Sequence, residues 1–262
     1  MRNSQIIHDR ILGDLYFPKN DQVMAPTIQK NGIWEPKEFL WLQQNVKLGD
    51  KCLNIGANIG YFSILMSSLV GVNGTVDAFE PNRELISFFN KNILERDIKN
   101  ITLHPIAIGS ENKKMYFYRN RKNYGDGRMF DPRITKGGGD WQFFGFNKIP
   151  SRRKVQVLRI DDLELGSVNV VLIDTQGFDH YVIRGMKNTF NSKLPKILTE
   201  FVPEWISDQG EDPVDILKEY KSYGYKVESI DYEELNKLNE KSFVEGILKS
   251  GTYFTNLQLL PD

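Results

Sequence analysis

Ten consecutive residues, Asn54-Ile55-Gly56-Ala57-Asn58-Ile59-Gly60-Tyr61-Phe62-Ser63, carry the densest chemical signal in the chain. They follow an apolar run at 51–55 and precede an apolar pattern of helical period at 59–70, so they form the turn between a strand and a helix. Glycine tolerates strained φ/ψ there and lets a ligand approach bare backbone. A dinucleotide fingerprint needs glycines two and then three apart. Gly56 and Gly60 are instead four apart, and Tyr61 stands in the place of the third glycine. Glu80 ends the next strand-like run, 75–79, where a carboxylate can accept both hydroxyls of a ribose. A glycine turn and a ribose acid without a pyrophosphate cradle describe a nucleoside site, and S-adenosylmethionine is the leading ligand for it. Asp174 ends the nearly all-apolar run Val168-Asn169-Val170-Val171-Leu172-Ile173. An anion at that position can take the proton from a hydroxyl as a methyl group moves to the oxygen, a reaction that needs little beyond proximity, alignment and a base.

Each of these residues also has a plainer use. Asp174 can cap the helix that starts near Phe178, and Glu80-Pro81-Asn82 can signal a helix start. His180, beside Asp179, is a second candidate base, although a histidine there is more often simply on the surface. His104 lies within a strand and reads as structural. Glu200, at another strand end, either lines an acceptor pocket or neutralises a lysine. Asp174, Asp179 and Glu200 can also supply hard oxygen ligands to a divalent ion, which spacing alone does not decide. The basic runs Arg119-Asn120-Arg121-Lys122 and Arg152-Arg153-Lys154 read as solvated faces before phosphate sites.

The elements that must position these groups alternate. Strand-like runs fall at 51–55, 75–79, 101–107, 169–174, 195–201, 225–230 and 252–259, with helical patterns at 59–70, 82–96, 178–190 and 212–223. This predicts an α/β fold, a mostly parallel sheet covered by helices on both faces, with Asn54 to Gly56, Glu80 and Asp174 opening onto one crevice at the strand ends. Residues 1–48 read as a Pro/Gly-punctuated lead-in with one helix, Pro36 to Val46, and 49–262 as the main domain. Within it, 112–160 breaks the alternation as a glycine- and aromatic-rich lid bounded by two antiparallel strands. At 262 residues and 40% hydrophobic content the chain can bury a core. Its 34 basic and 34 acidic residues cancel, which leaves no global field to draw it to nucleic acid. No membrane-length apolar run or signal-peptide core is visible, and the expectation is a cytoplasmic protein. The lone Cys52, inside a strand, reads as a core residue.

The strings NIGANIGYFS, AFEPN, HPIAIGS at 104–110, VQVLRIDDL at 155–163 and LIDTQGFDHYVIRG at 172–185 together resemble the FkbM family of S-adenosylmethionine-dependent methyltransferases, in order over about 32–205. The resemblance implies a Rossmann-like class I methyltransferase fold with a seven-stranded sheet, and O-methylation of a saccharide or other polyhydroxylated small molecule. It implies cofactor contacts from Glu35 in the Asn31-Gly32-Ile33-Trp34-Glu35-Pro36 element, from Asn54, Gly56, Ala57, Asn58 and Gly60, from Glu80, Pro81 and Asn82, and from Ala107 and Asp174. Asn54 departs from the family's usual aspartate, and Gln176 and Asp179 stand where relatives carry glutamate. For the acceptor, Trp141, Phe143 and Phe144 offer flat apolar faces to a sugar ring, Asp126 and Arg128 offer polar contacts, and Tyr124 belongs to the same segment. Two other functions compete: a nucleic-acid methyltransferase gripping phosphates with the basic runs, and a nucleotide-binding protein without methyl transfer.

Overall fold

The computed structural model describes residues 4–120, 123–132, 151–191 and 193–262. Strand β9, Val170–Ile173, is buried at all four positions. A strand that shows water neither face must sit in the middle of a covered sheet. It does: seven strands hydrogen-bond in the order β11-β12-β10-β9-β3-β4-β5, where β3 is Lys51–Ile55, β4 Thr75–Phe79, β5 Ile101–His104, β10 Lys196–Phe201, β11 Tyr225–Ser229 and β12 Thr255–Pro261. The pairs β3–β4, β4–β5, β3–β9 and β9–β10 are parallel, while β12 runs antiparallel to both neighbours. Strand order reverses between β3 and β9, and that switch point places a crevice at their carboxyl ends.

The helices cover both faces. They are α1 Met24–Asn31, α2 Pro36–Asn45, α3 Tyr61–Val70, α4 Arg83–Leu94, α5 Asp179–Arg184, α6 Pro203–Asp208, α7 Pro213–Ser222 and α8 Glu240–Lys249. Local chemistry sets several of their starts. Proline opens α2, α6 and α7, where a missing N–H costs nothing, and Asn82, Asp212 and Asn239 accept the N–H two or three residues on as caps of α4, α7 and α8.

The expected third strand, 101–107, is broken. Pro105 has no N–H to give the ladder, and β6, Ala107–Ile108, leaves for a small sheet in which β8, Arg152–Leu158, lies between it and β7, Lys113–Tyr118. The antiparallel β7–β8 pair is the expected flank of the 112–160 segment. The helix expected over 178–190 stops at Arg184; a Cβ on the next residue, Gly185, would lie 2.1 Å from the Gly109 carbonyl oxygen. Two helices, α6 and α8, and residues 4–31 hold more structure than the sequence patterns indicated.

That N-terminal segment folds as a hairpin of β1, Ser4–Asp9, and β2, Gly13–Pro18, followed by α1. Ile7, Leu15, Phe17 and Ile28 bury themselves in the same apolar cluster as Trp41, Leu42, Ile64 and Leu65, so the lead-in shares a core with α3. Each such side chain contributes about 1.5–3 kcal/mol by leaving water. A polar tie joins them: the buried Tyr61 hydroxyl donates to Asp9 Oδ2 at 2.8 Å and accepts from the Trp34 N–H at 3.2 Å, while Asp9 Oδ1 accepts the N–H groups of Ile11 and Leu12 and closes the hairpin turn. Tyr61→Phe strands a buried carboxylate oxygen and a backbone donor, and should cost about 1–3 kcal/mol. Thermal unfolding should show a fall of roughly 2–4 °C per kcal/mol; an unchanged midpoint would mean that the tie contributes nothing.

Candidate active site

Gly56 and Gly60 both adopt left-handed backbone, at φ 90° and 92°. Space demands them as well. A Cβ on Gly56 would lie 1.8 Å from the Asp174 carbonyl oxygen, and one on Gly60 would lie 3.0 Å from the Phe89 ring. The turn is therefore tight because β9 and α4 press on it, and its N–H groups at Gly56 and Ala57 both reach the Phe79 carbonyl oxygen at 3.0 Å. Asn58, at φ 52°, turns its own N–H toward Glu80.

Glu80 is buried at the end of β4. Its Oε2 accepts from the Asn58 N–H at 2.8 Å and its Oε1 from the Asn82 N–H at 2.7 Å. The two segments expected to hold the cofactor are thus fastened to each other through one carboxylate. Burial pushes that carboxyl up to about 7.

A cleft opens at this point. Gly56, Asn58, Glu80, Pro81, Ala107, Tyr124 and Asp174 all line it. Sequence reasoning missed much of its apolar wall, which is Phe79, Leu85, Ile106, Ile108, Phe117 and Phe178. Ile106 and Ile108 lie in or beside the quoted HPIAIGS string, and Phe117 lies in the strand pattern of β7; alternation along those runs was the available signal.

Asp174 stands at the end of β9 and accepts from Gln176 Nε2 at 2.6 Å. Burial raises its pKa, and the Asp126 charge adds to the rise. The field of Asp174 in turn raises Glu35 and Glu200, both held far above the carboxylate range chiefly by burial. Glu35, in left-handed backbone at the start of α2, and Glu200, near the end of β10, therefore face the same charge. Glu200 Oε2 is buried without a hydrogen-bond partner. Asp179 is committed to the loop: its Oδ2 accepts from Thr175 Oγ1 and the Gly177 N–H, its Oδ1 from Thr199 Oγ1, and burial pushes it up to about 7.

Other expected site residues are elsewhere. Asn54 is buried and donates to Ser63 Oγ at 2.8 Å, facing α3 rather than the cleft wall. Ala57 is buried behind the turn, against Phe89, and the Asn82 side chain is spent on capping α4. His180 is not brought to the cleft. It is buried beside Tyr181, its Nε2 has no hydrogen-bond partner, and burial together with the Arg184 charge holds its pKa down at about 4. Its charged neighbours are Arg184, Glu211 and Glu219. Asp126 and Arg128 are buried against each other at 2.6 Å, and the Arg128 guanidinium lies 3.9 Å over the Trp205 ring, so this pair packs on α6 instead of presenting itself to solvent. Trp141 and Phe144 lie outside the described residues. Cys52 is fully buried, and its thiol is pushed up to about 12. Among the described residues, no group of three or more His, Cys, Asp or Glu side chains is placed to hold a metal ion, so Asp174, Asp179 and Glu200 do not form the hard-oxygen ligand set that their types allowed. No helix among the described residues is long and apolar enough to cross a membrane.

The sheet below the cleft carries the single reversed strand of the Rossmann-like class I S-adenosylmethionine-dependent methyltransferases, and the protein is one of these. The sequence narrows this further. Residues 54–227 match the methyltransferase FkbM domain, and the chain belongs to that family. A protein-L-isoaspartate O-methyltransferase of Caenorhabditis elegans is 38% identical over 53 residues, which is 20% of this chain and only 24% of that protein. Among solved structures, the FkbM methyltransferase of Methylobacillus flagellatus aligns over 92% of this chain and 61% of its own, at 13% identity and a TM-score of 0.47. A putative rRNA methylase from Clostridium thermocellum covers 86% and 95% at 12% identity and 0.49. A putative methyltransferase from Streptococcus mutans, in complex with S-adenosylhomocysteine, covers 87% and 99% at 11% and 0.45.

If Glu80 holds the ribose, Glu80→Ala should weaken S-adenosylhomocysteine binding by about 1.5–3 kcal/mol for each charge-assisted bond lost. Since Glu80 titrates near 7 and only its ionised form accepts from both hydroxyls, wild-type affinity should rise with pH across that value. Calorimetry at several pH values would show this, and an alanine variant with wild-type affinity and pH profile would remove Glu80 from the site.

Proposed function

We propose that the protein transfers a methyl group from S-adenosylmethionine to a hydroxyl of a saccharide or other polyhydroxylated small molecule. The observation that carries this reading is Asp174: a strand-end carboxylate on the cleft wall, held by Gln176 and with its proton affinity raised by burial. An alcohol oxygen is a poor nucleophile until its proton has somewhere to go, and a base whose pKa moves from the acid range toward neutrality serves it better. In this reading the hydroxyl oxygen attacks the methyl carbon, the carbon–sulfur bond breaks with its electron pair going to sulfur, and the proton passes to Asp174. The products are the methyl ether and S-adenosylhomocysteine.

Burial and the Asp174 charge favour the protonated forms of Glu35 and Glu200 in the empty protein, and a cationic sulfonium bound near Asp174 would shift both toward ionisation. The 112–160 segment forms the acceptor side. Its residues Phe117, Tyr124, Gly125, Gly127 and Met129 line the same cleft as the glycine turn, which supports that division of labour.

Asp174→Asn preserves size and one acceptor oxygen, and the close contact at Gly56 is with the Asp174 backbone, so the variant should fold and bind cofactor nearly as the wild type does. Its turnover should drop at least about a hundredfold. Wild-type turnover should also decline as pH falls, and at a higher pH than an ordinary carboxylate would dictate, because Asp174 must be ionised to accept the proton and its pKa is raised. A panel of glycans with labelled S-adenosylmethionine provides the assay. Retained activity in Asp174→Asn together with its loss in His180→Ala would transfer the base role to His180.

A further inference from the structure

The outer face of the β7–β8 hairpin carries charge that the cleft does not use. Register sets Lys114 opposite Gln156, Tyr116 opposite Lys154 and Tyr118 opposite Arg152, so these side chains share one face. The opposite face buries Phe117 and Val157 against Phe178, under the cleft. On the outer face Lys114, Arg152 and Lys154 are exposed. The Arg152 guanidinium lies 4.1 Å from the Tyr116 ring centre and the Lys154 ammonium 5.6 Å from it. Among the described residues none of the three cations meets a carboxylate; the nearby acids Glu111 and Glu84 face Lys113 and Arg119 instead. Successive residues on one face of a strand stand about 6.6–6.8 Å apart, so the cations form a compact row rather than scattered points.

The row leads toward the cleft. Arg119, just past the end of β7, donates to Ser151 Oγ at 2.7 Å, stays 3.9 Å from Glu84, and keeps a buried Nε without a hydrogen-bond partner. Glu84 accepts from the Tyr124 hydroxyl at 3.2 Å, and Tyr124 lines the cleft. Positive groups thus run from an exposed sheet face to the cleft mouth.

We propose that this face docks a polyanionic saccharide, a chain bearing carboxylates, while one of its hydroxyls enters the cleft; this rests on the reading of the site as a saccharide O-methyltransferase. Arginine pairs bidentately with a carboxylate, and stacking on Tyr116 holds the Arg152 fork in place for it. A single-stranded nucleic acid would want open aromatic faces for its bases, but the Tyr116 ring already carries two cations.

The experiment uses the full chain and a fluorescently labelled oligogalacturonate, followed by anisotropy, with a fully methyl-esterified oligogalacturonate and a single-stranded RNA as the comparison probes. Binding to the free-acid probe should weaken with salt, and should fall at least about tenfold in an Arg152→Ala/Lys154→Ala double variant whose S-adenosylhomocysteine affinity is unchanged. The esterified probe should bind no better to wild type than to the variant. Wild-type affinity in the double variant, equal binding of the esterified probe, or tighter binding of RNA overturns the proposal. Methyl transfer separates the two readings. Oligogalacturonate that binds through this face without being methylated upholds the docking surface and counts against the saccharide acceptor. Oligogalacturonate that is methylated with the same apparent affinity by the double variant upholds the acceptor and overturns the docking surface.

Discussion

Gly56 and Asp174 meet backbone to backbone where strand order reverses, and most of the site follows from that contact. The Asp174 carbonyl oxygen occupies the place of a Gly56 Cβ, while the Asp174 N–H donates to the Ile55 carbonyl at 2.9 Å. No side chain is possible at position 56 without moving β9 or β3. Because the two strands approach this closely, the acid that ends β9 stands beside the turn that ends β3 with no intervening bulk. The same turn is held from its other side by the Phe79 carbonyl and by Glu80. Asp174, Glu80 and the glycine turn are thereby placed by backbone geometry on three adjacent strands, which is the stiffest support the fold has to offer.

Around that contact the protein concentrates carboxyl groups in a poorly solvated space. Glu35, Glu80, Asp174, Asp179 and Glu200 all have raised proton affinities, with burial the largest cause in each. Such a cluster is costly in the empty protein, since each ionised member repels the next and none can recover full hydration. A sulfonium and an ammonium on one ligand relieve that repulsion, so the cluster is electrostatically complementary to the family's cofactor. Arg128 is the internal counterweight. It lowers Glu200 and is itself fixed by Asp126 and the face of Trp205. The pair was expected to contact substrate; burial makes it instead a joint with the Trp205 ring of α6.

Local patterns were enough to reveal the parallel core. Val170–Ile173 is apolar throughout because both its faces are covered, and Gly56, Glu80 and Asp174 each follow a strand, so their convergence at the carboxyl ends could be read from order alone. The antiparallel β7–β8 flank was legible for the same reason, through alternation. Long-range contacts were not legible. Whether Asn54 faces the ligand or Ser63, whether His180 faces Asp174 or Arg184, and whether Arg128 faces solvent or Trp205 depend on which side of an element meets which neighbour, and a residue's type does not encode that. The hairpin at 4–18 escaped notice because its apolar face is only three side chains deep, Ile7, Leu15 and Phe17, and gains meaning by packing on α3, far along the chain. The sequence by itself determined the class of sheet, the turn chemistry and the order of the acids, since these rest on period, strand ends and glycine conformation. Tertiary structure alone decided which acids share a field and which cations are left outward, because burial and neighbouring charge exist only once distant segments are packed.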